Sequence, residues 1–279
     1  MKIFESLYSI FCDTIVKHAL LEDVDKVIFL FSGGKDATLG LYFLQKYIQE
    51  NDLNISVETV LVTYPLHCYF AKDDSDAESF VALKKYWFEQ DVTFHVFVPD
   101  VADIDANDAL ACKTCKVTRK KIIDEFLDNI DDKNRTAIMT GYTLYDVLAF
   151  LDEVLLITNY DLKNYKQKDS AIVNRVENCL HKMSVKENLP NGFRIIRPLV
   201  NTSEHDIRLC NRELELPFCT VTCEAAKVKL KRQYFKVLDL ANPINKTTHD
   251  GVMDFLKAQN VEIPKTFHDI EYDNYFTDC

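Results

Sequence analysis

Residues Ser32-Gly33-Gly34-Lys35-Asp36 set two adjacent glycines, a lysine and a carboxylate directly after the apolar run Val27-Ile28-Phe29-Leu30-Phe31. A strand that feeds a glycine loop opening a helix lets backbone N–H groups turn towards an anion. The helix N-terminus adds partial positive charge. Lys35 adds a full charge, so the unit predicts a phosphate site. The chain has only 6 glycines in 279 residues, which gives a side-by-side pair weight. The spacing is neither G-x-x-x-x-G-K-[ST] nor G-x-G-x-x-G, so two common phosphate loops are excluded. Ser32, Gly33, Gly34, Lys35 and Asp36, with Thr63 and Gly141 at the ends of later apolar runs, form the candidate nucleotide-binding set. Asp36 serves either a metal or phosphate site or the charge balance of a helix N-terminus.

Thiols supply a second chemistry. Cys112 and Cys115 form C-x-x-C, and Cys219 and Cys223 form C-x-x-x-C. Thiolates are soft ligands for zinc or iron–sulfur clusters. Lys113, Lys116 and the start of a helix would favour a nucleophilic thiolate. Cys12, Cys68, Cys179 and Cys210 read as inert core thiols. Asp146 is a candidate Mg²⁺ ligand through its carboxylate, or else a first-turn helix acid.

The elements that must position these residues alternate. Apolar patterning predicts strands over 26–31, 55–63, 92–98, 137–140 and 193–196. Helices are expected over 3–20, 35–52, 74–88, 112–130, 144–157, 203–215, 224–240 and 249–259. Residues 160–190 are polar and give no clear pattern, and the last residues form an acidic tail with Asp269, Glu271, Asp273 and Asp278. Strand–helix alternation implies a doubly wound parallel α/β sheet with a helical C-terminal segment. Ligands then sit at the carboxyl ends of the strands. The phosphate loop, the 64–68 loop, the Cys112 segment and Gly141 all fall at such ends. The expected division is an N-terminal helix over 1–20, an α/β domain over 21–220 and a helical extension with the acidic tail over 221–279.

Net charge of −11 opposes non-specific binding of a polyanion. Two basic stretches stand against that average: Lys113, Lys116, Arg119, Lys120 and Lys121, then Lys227, Lys229, Lys231, Arg232 and Lys236. They are either an RNA or phosphate face or solvated helix faces. No apolar run approaches the ~20 residues of a membrane helix, and Met1–Ser6 shows no signal-peptide apolar region, so a cytoplasmic protein is expected.

Ser32 to Ala37 resembles the PP-loop, S-G-G-K-D-S, of the N-type ATP pyrophosphatases, with Ala37 in place of the last serine. Those enzymes split ATP between the α- and β-phosphates and adenylate a substrate oxygen. Ala111 to Lys120 resembles the C-S-L-C-S-R-L-R-R segment of the tRNA 2-thiocytidine synthetase family. Arg194-Ile195-Ile196-Arg197-Pro198-Leu199, followed by Glu204-His205-Asp206-Ile207, resembles that family's I-R-P-L and E-x-D-I segments. Leu216-Pro217-Phe218-Cys219 to Cys223 falls where the family has P-C-x-x-C.

The resemblance implies an adenine nucleotide α-hydrolase-like fold and an ATP-dependent sulfurtransferase using ATP and Mg²⁺. It implies catalytic roles for Lys35, Cys112, Cys115, Cys219 and Cys223. It further implies a [4Fe–4S] cluster on Cys112, Cys115 and either Cys219 or Cys223; a cluster-free persulfide route is the alternative. The family's G-H-x-x-D-D-x-x-E-T appears here as Gly141 to Phe150, keeping Gly141 and Asp146 but not the His, the first Asp or the Glu. That departure and the acidic balance lean the substrate towards a free nucleobase, as in thiopurine synthesis. The alternatives are tRNA thiolation, cluster-dependent removal of sulfur from thiolated bases, and a non-enzymatic metal-binding protein. Expected partners are a nucleobase or tRNA, a sulfur donor such as a cysteine desulfurase, and a second copy in a homodimer, with no membrane.

Overall fold

The computed structural model describes residues 3–63, 77–99, 111–219, 230–241 and 247–264, and leaves the side chains of 111–113, 230 and 232 undescribed. The strands are β1 (Lys26–Leu30), β2 (Ser56–Val62), β3 (Thr93–Phe97), β4 (Thr136–Met139), β5 (Lys186–Asn188) and β6 (Arg194–Ile196). The helices are α1 (Ile3–Lys17), α2 (Lys35–Glu50), α3 (Glu78–Phe88), α4 (Ala111–Asp128), α5 (Leu144–Ile157), α6 (Ser170–Met183), α7 (Glu204–Glu213), α8 (Leu230–Ala241) and α9 (His249–Ala258).

The six strands form one sheet in the order β3-β2-β1-β4-β6-β5. β1 pairs parallel with β2 and β4, with Phe29 opposite Thr59 on one side and Met139 on the other. A central parallel strand is covered on both faces, which is why Val27-Ile28-Phe29 is an unbroken apolar run rather than an alternating one. Val27 and Phe29 face the larger core, which α1, α2, α3, α5, α6, α7, α8 and α9 help to close. Ile28 faces the other way, with Val60, Val62 and Ile138, under Ile123 and Leu127 of α4. The doubly wound α/β architecture read from the sequence is thus present. Successive crossovers bring every βα junction of the parallel strands to the carboxyl edge of the sheet.

Two features depart from the sequence reading. Residues 160–190 hold a 3₁₀ turn, helix α6 and strand β5, and β5 pairs antiparallel with β6, with Glu187 opposite Ile195. Strand β5 is Lys-Glu-Asn and has no apolar signal. Its place comes from buried polar partners: Glu187 accepts from Arg197 Nη2 at 3.5 Å and bonds the His181 ring. Arg197 also donates from Nη1 to the Ser184 carbonyl at 2.6 Å. A buried charge survives only when it is paired in this way.

Candidate active site: a phosphate loop joined to a cysteine

The loop between β1 and α2 is built from its glycines. Gly33 has φ +70°, in the left-handed region that a side chain would strain. Gly34 then takes the N-cap position of α2 and supplies no side-chain cap. By contrast Asp169, Ser203 and Thr248 cap α6, α7 and α9 with side-chain oxygens. The first turn of α2 therefore keeps N–H groups for an outside acceptor, the arrangement that holds an anion. Ser32 is exposed at the mouth of the loop, and its Oγ accepts from the Gly34 N–H at 3.4 Å. Gly141, just past β4, lies over the same helix start: a Cβ there would stand 3.4 Å from the Ala37 nitrogen. Thr63 is buried at the end of β2, where its N–H and hydroxyl both donate to the Phe97 carbonyl, at 2.8 and 3.2 Å.

Lys35 lies between carboxylates. Its Nζ is 2.5 Å from Glu204 Oε1 and 3.1 Å from Asp36 Oδ2. The Lys35 carbonyl accepts from Asn211 Nδ2 at 3.1 Å, so α7 grips both ends of this residue. Burial pushes Asp36 up to about 6 against the pull of Lys35, and the fields of Glu204 and Asp146 add to the rise. Asp36 Oδ1 and Glu204 Oε2 are both buried and have no hydrogen-bond partner among the described residues.

The 217–219 segment closes on this loop. The Cys219 N–H donates to the Gly33 carbonyl at 2.7 Å. The Pro217 carbonyl accepts from the Thr38 hydroxyl at 3.4 Å. Ser79, in the first turn of α3, donates to Cys219 Sγ at 3.8 Å. A cysteine far along the chain thus sits on the glycine loop between β1 and α2. Cys112 and Cys115 lie three residues apart in the first turns of α4, hence on one helix face. Helix α4 returns from β3 to β4, so its start is at the same carboxyl edge of the sheet. Cys115 is half-buried. The Cys112 side chain and Cys223 lie outside the described residues, as do the 64–68 loop, the Asp-rich 100–108 segment and the acidic tail. Among the described residues no three His, Cys, Asp or Glu side chains come together as a metal group.

Asp146 is engaged rather than open. Its Oδ1 is 2.7 Å from Lys231 Nζ, and its Oδ2 accepts from the Thr143 N–H at 2.8 Å and the Thr143 hydroxyl at 3.1 Å. Burial raises this carboxyl, but Lys231 and Thr143 outweigh it and hold it below its ordinary value. These contacts make it the capping-box acid of α5 and one half of an ion pair. Lys231 itself is caged by aromatic rings, 4.5 Å from the Phe150 centroid and 5.4 Å from that of Tyr142. The basic face of α4 is partly paired along its own helix, with Lys120 2.5 Å from Asp124. Cys179 and Cys210 are wholly buried, as expected of core thiols, and burial pushes Cys210 up to about 12. Glu204 opens the segment that resembles E-x-D-I, whereas Arg208 and Asn211 belong to no motif of the sequence.

The chain superimposes on U34-tRNA thiolase NcsA from Methanococcus maripaludis with its [4Fe-4S] cluster, with a TM-score of 0.64. The two share 18% identity over 94% of this chain and 81% of that one. The two chains share a fold. NMN synthetase from Francisella tularensis also aligns, with a TM-score of 0.43 and 10% identity over 92% of each chain. No protein-family model and no curated protein matches the sequence. The Ser32–Ala37 segment, which resembles the PP-loop, has a cysteine hydrogen-bonded onto it. No helix among the described residues is long and apolar enough to cross a membrane.

Proposed function

We propose that this chain is an ATP-dependent sulfurtransferase that adenylates a nucleobase carbonyl and replaces its oxygen with sulfur. The observation that carries the reading is the 2.7 Å bond from the Cys219 N–H to the Gly33 carbonyl, which sets a thiol beside the phosphate loop. The PP-loop would hold the triphosphate, with the uncapped start of α2 and the Lys35 ammonium facing its negative charge. The carbonyl oxygen attacks the α-phosphorus, the bond to the β-phosphate oxygen breaks and pyrophosphate leaves. Sulfide held at the cysteine site then attacks the activated carbon, the carbon–oxygen bond breaks, AMP departs with the original oxygen, and loss of the sulfur-bound proton leaves the thiocarbonyl. Lys35 and the loop N–H groups act electrostatically on charge that grows during the first step.

Asp36 fits a Mg²⁺ role beside the phosphates, because its Oδ1 has no partner among the described residues. Cys112, Cys115 and one of Cys219 or Cys223 are the thiolates that would hold an iron–sulfur cluster, which when bound would supply an open iron for sulfide. The substrate carbonyl has two sources, a free nucleobase and a base within tRNA. The net charge of −11 supports the first, and likeness to a tRNA thiolase supports the second.

Anaerobic AMP release from ATP with sulfide, measured against bulk tRNA and against a panel of free nucleobases, tests the reading. Stimulation by either source supports it and names the substrate class. Lys35→Ala should abolish AMP formation while keeping the wild-type circular dichroism spectrum and melting curve. Unchanged AMP production by that folded variant would overturn the phosphate-loop assignment.

A further inference from the structure

Helix α7 presents Glu204, Arg208 and Asn211 at i, i+4 and i+7, along one face. That face lies against the first residue of α2, and each of the three side chains has a defined job there. Asn211 holds the Lys35 carbonyl at 3.1 Å and also bonds the Ile207 carbonyl at 2.9 Å, so it fixes the loop lysine's backbone to α7. Glu204 holds the Lys35 ammonium at 2.5 Å. Arg208 stands behind it, with Nη1 3.7 Å from the same Glu204 oxygen and Nη2 2.6 Å from Asp239 of α8. The Tyr145 hydroxyl completes the row by donating to the other Asp239 oxygen at 3.1 Å.

This row poses a problem of charge. The side chains of Glu204 and Lys35 are only 9% and 13% exposed, so each depends on the other for compensation. A triphosphate that arrives on the loop competes for the Lys35 ammonium. When the ammonium turns to phosphate, Glu204 is left buried and needs another cation. Arg208 is already 3.7 Å away on the next helical turn and needs only a small side-chain shift. No other cation among the described residues is paired with Glu204.

We propose that Glu204 is a positioning residue that holds the PP-loop lysine in the nucleotide-free enzyme and passes from Lys35 to Arg208 when triphosphate binds. The inference rests on the reading of the Ser32–Ala37 loop as the ATP site. It goes beyond that reading by giving α7 a part in nucleotide binding. Movement of Arg208 towards Glu204 draws on its bond to Asp239, so occupancy of the loop is felt at α8, the helix that follows Cys223 in the chain.

The test is a double-mutant cycle on nucleotide affinity in the full-length protein. The probes are an ATP analogue with a methylene between the α and β phosphorus atoms, and adenosine, each titrated by calorimetry. Glu204→Gln releases Lys35 and should tighten the analogue by about tenfold while leaving adenosine unchanged. Arg208→Gln leaves Glu204 without its replacement cation and should weaken the analogue by about tenfold, again sparing adenosine. In the double variant Arg208 no longer matters, and the affinity should match that of Glu204→Gln alone.

Simple field effects of removing one negative and one positive charge would add, so additivity across the cycle overturns the exchange. Equal changes for adenosine and the analogue also overturn it, because they mark a merely structural role. Analogue binding with all variants alike overturns this inference and leaves the proposed function standing. A wild-type protein that binds adenosine but gains nothing from the phosphates overturns both.

Discussion

Replacing Asp36 by Asn should stabilise the protein at neutral pH and erase one segment of its pH dependence. Asp36 sits at the start of α2, and burial raises its pKa from an ordinary 3.8 to about 6 against the attraction of Lys35, with Glu204 and Asp146 adding to the rise. The unfolded chain releases this proton near the ordinary value, whereas the folded chain holds it until about pH 6. The stability contributed by the protonated form is therefore fully present below 3.8 and is lost as pH rises through 6. A shift of this size corresponds to about 3 kcal/mol at its upper bound. The side chain keeps 26% of its surface open to water. That access to solvent brings the expected cost of the ionised form to about 1–2 kcal/mol. Asparagine keeps an oxygen for the 3.1 Å Lys35 contact but has no charge to bury. Urea unfolding of both proteins between about pH 4 and pH 7 measures the effect. The two curves should coincide at the acid end, and the variant should be the more stable by about 1–2 kcal/mol at the neutral end. A stability difference that stays flat across this range would refute the reasoning, because only titration of Asp36 can make it bend.

Two further predictions concern the frame of the site. Lys231→Met should cost about 2–3 kcal/mol in urea unfolding, because Asp146 loses the Lys231 ammonium that stands 2.7 Å away. Asp146→Asn in the same chain should recover most of that loss; a cost that persists undiminished would place it in the aromatic cage instead. Ser203→Ala removes the oxygen that accepts from the Asp206 N–H at 3.1 Å and should lower stability by about 1 kcal/mol, read as a fall in melting temperature. An unchanged melting temperature would show that α7, which carries Glu204, does not depend on this cap.

Much of this protein follows from order along the chain. The Val27–Phe31 run, the glycine pair and the start of α2 are contiguous, so strand, glycine loop and helix are legible from neighbours alone. Local hydrogen bonding and φ preferences act over a few residues, and composition records them directly. The same holds for the strand–helix alternation, which fixes a parallel sheet and sends its βα loops to one edge. Strand β5 shows the opposite case. Lys186-Glu187-Asn188 has no strand pattern of its own, and it becomes one only when β6 pairs with it and Arg197 and His181 take up the Glu187 charge. Helix α6 buries Val176, Cys179, Leu180 and Met183 at helical spacing, yet its polar surroundings hid that stripe.

The chemistry divides in the same way. Residue types and spacing bring out a candidate phosphate loop and two cysteine pairs, because each is a local arrangement. They did not reveal that Cys219 lies on Gly33, far apart in the chain, or that Glu204 holds Lys35. Those contacts depend on how α7 and the segment after it pack over the start of α2. Packing of that kind is decided by the summed burial of many side chains, a quantity no local motif encodes.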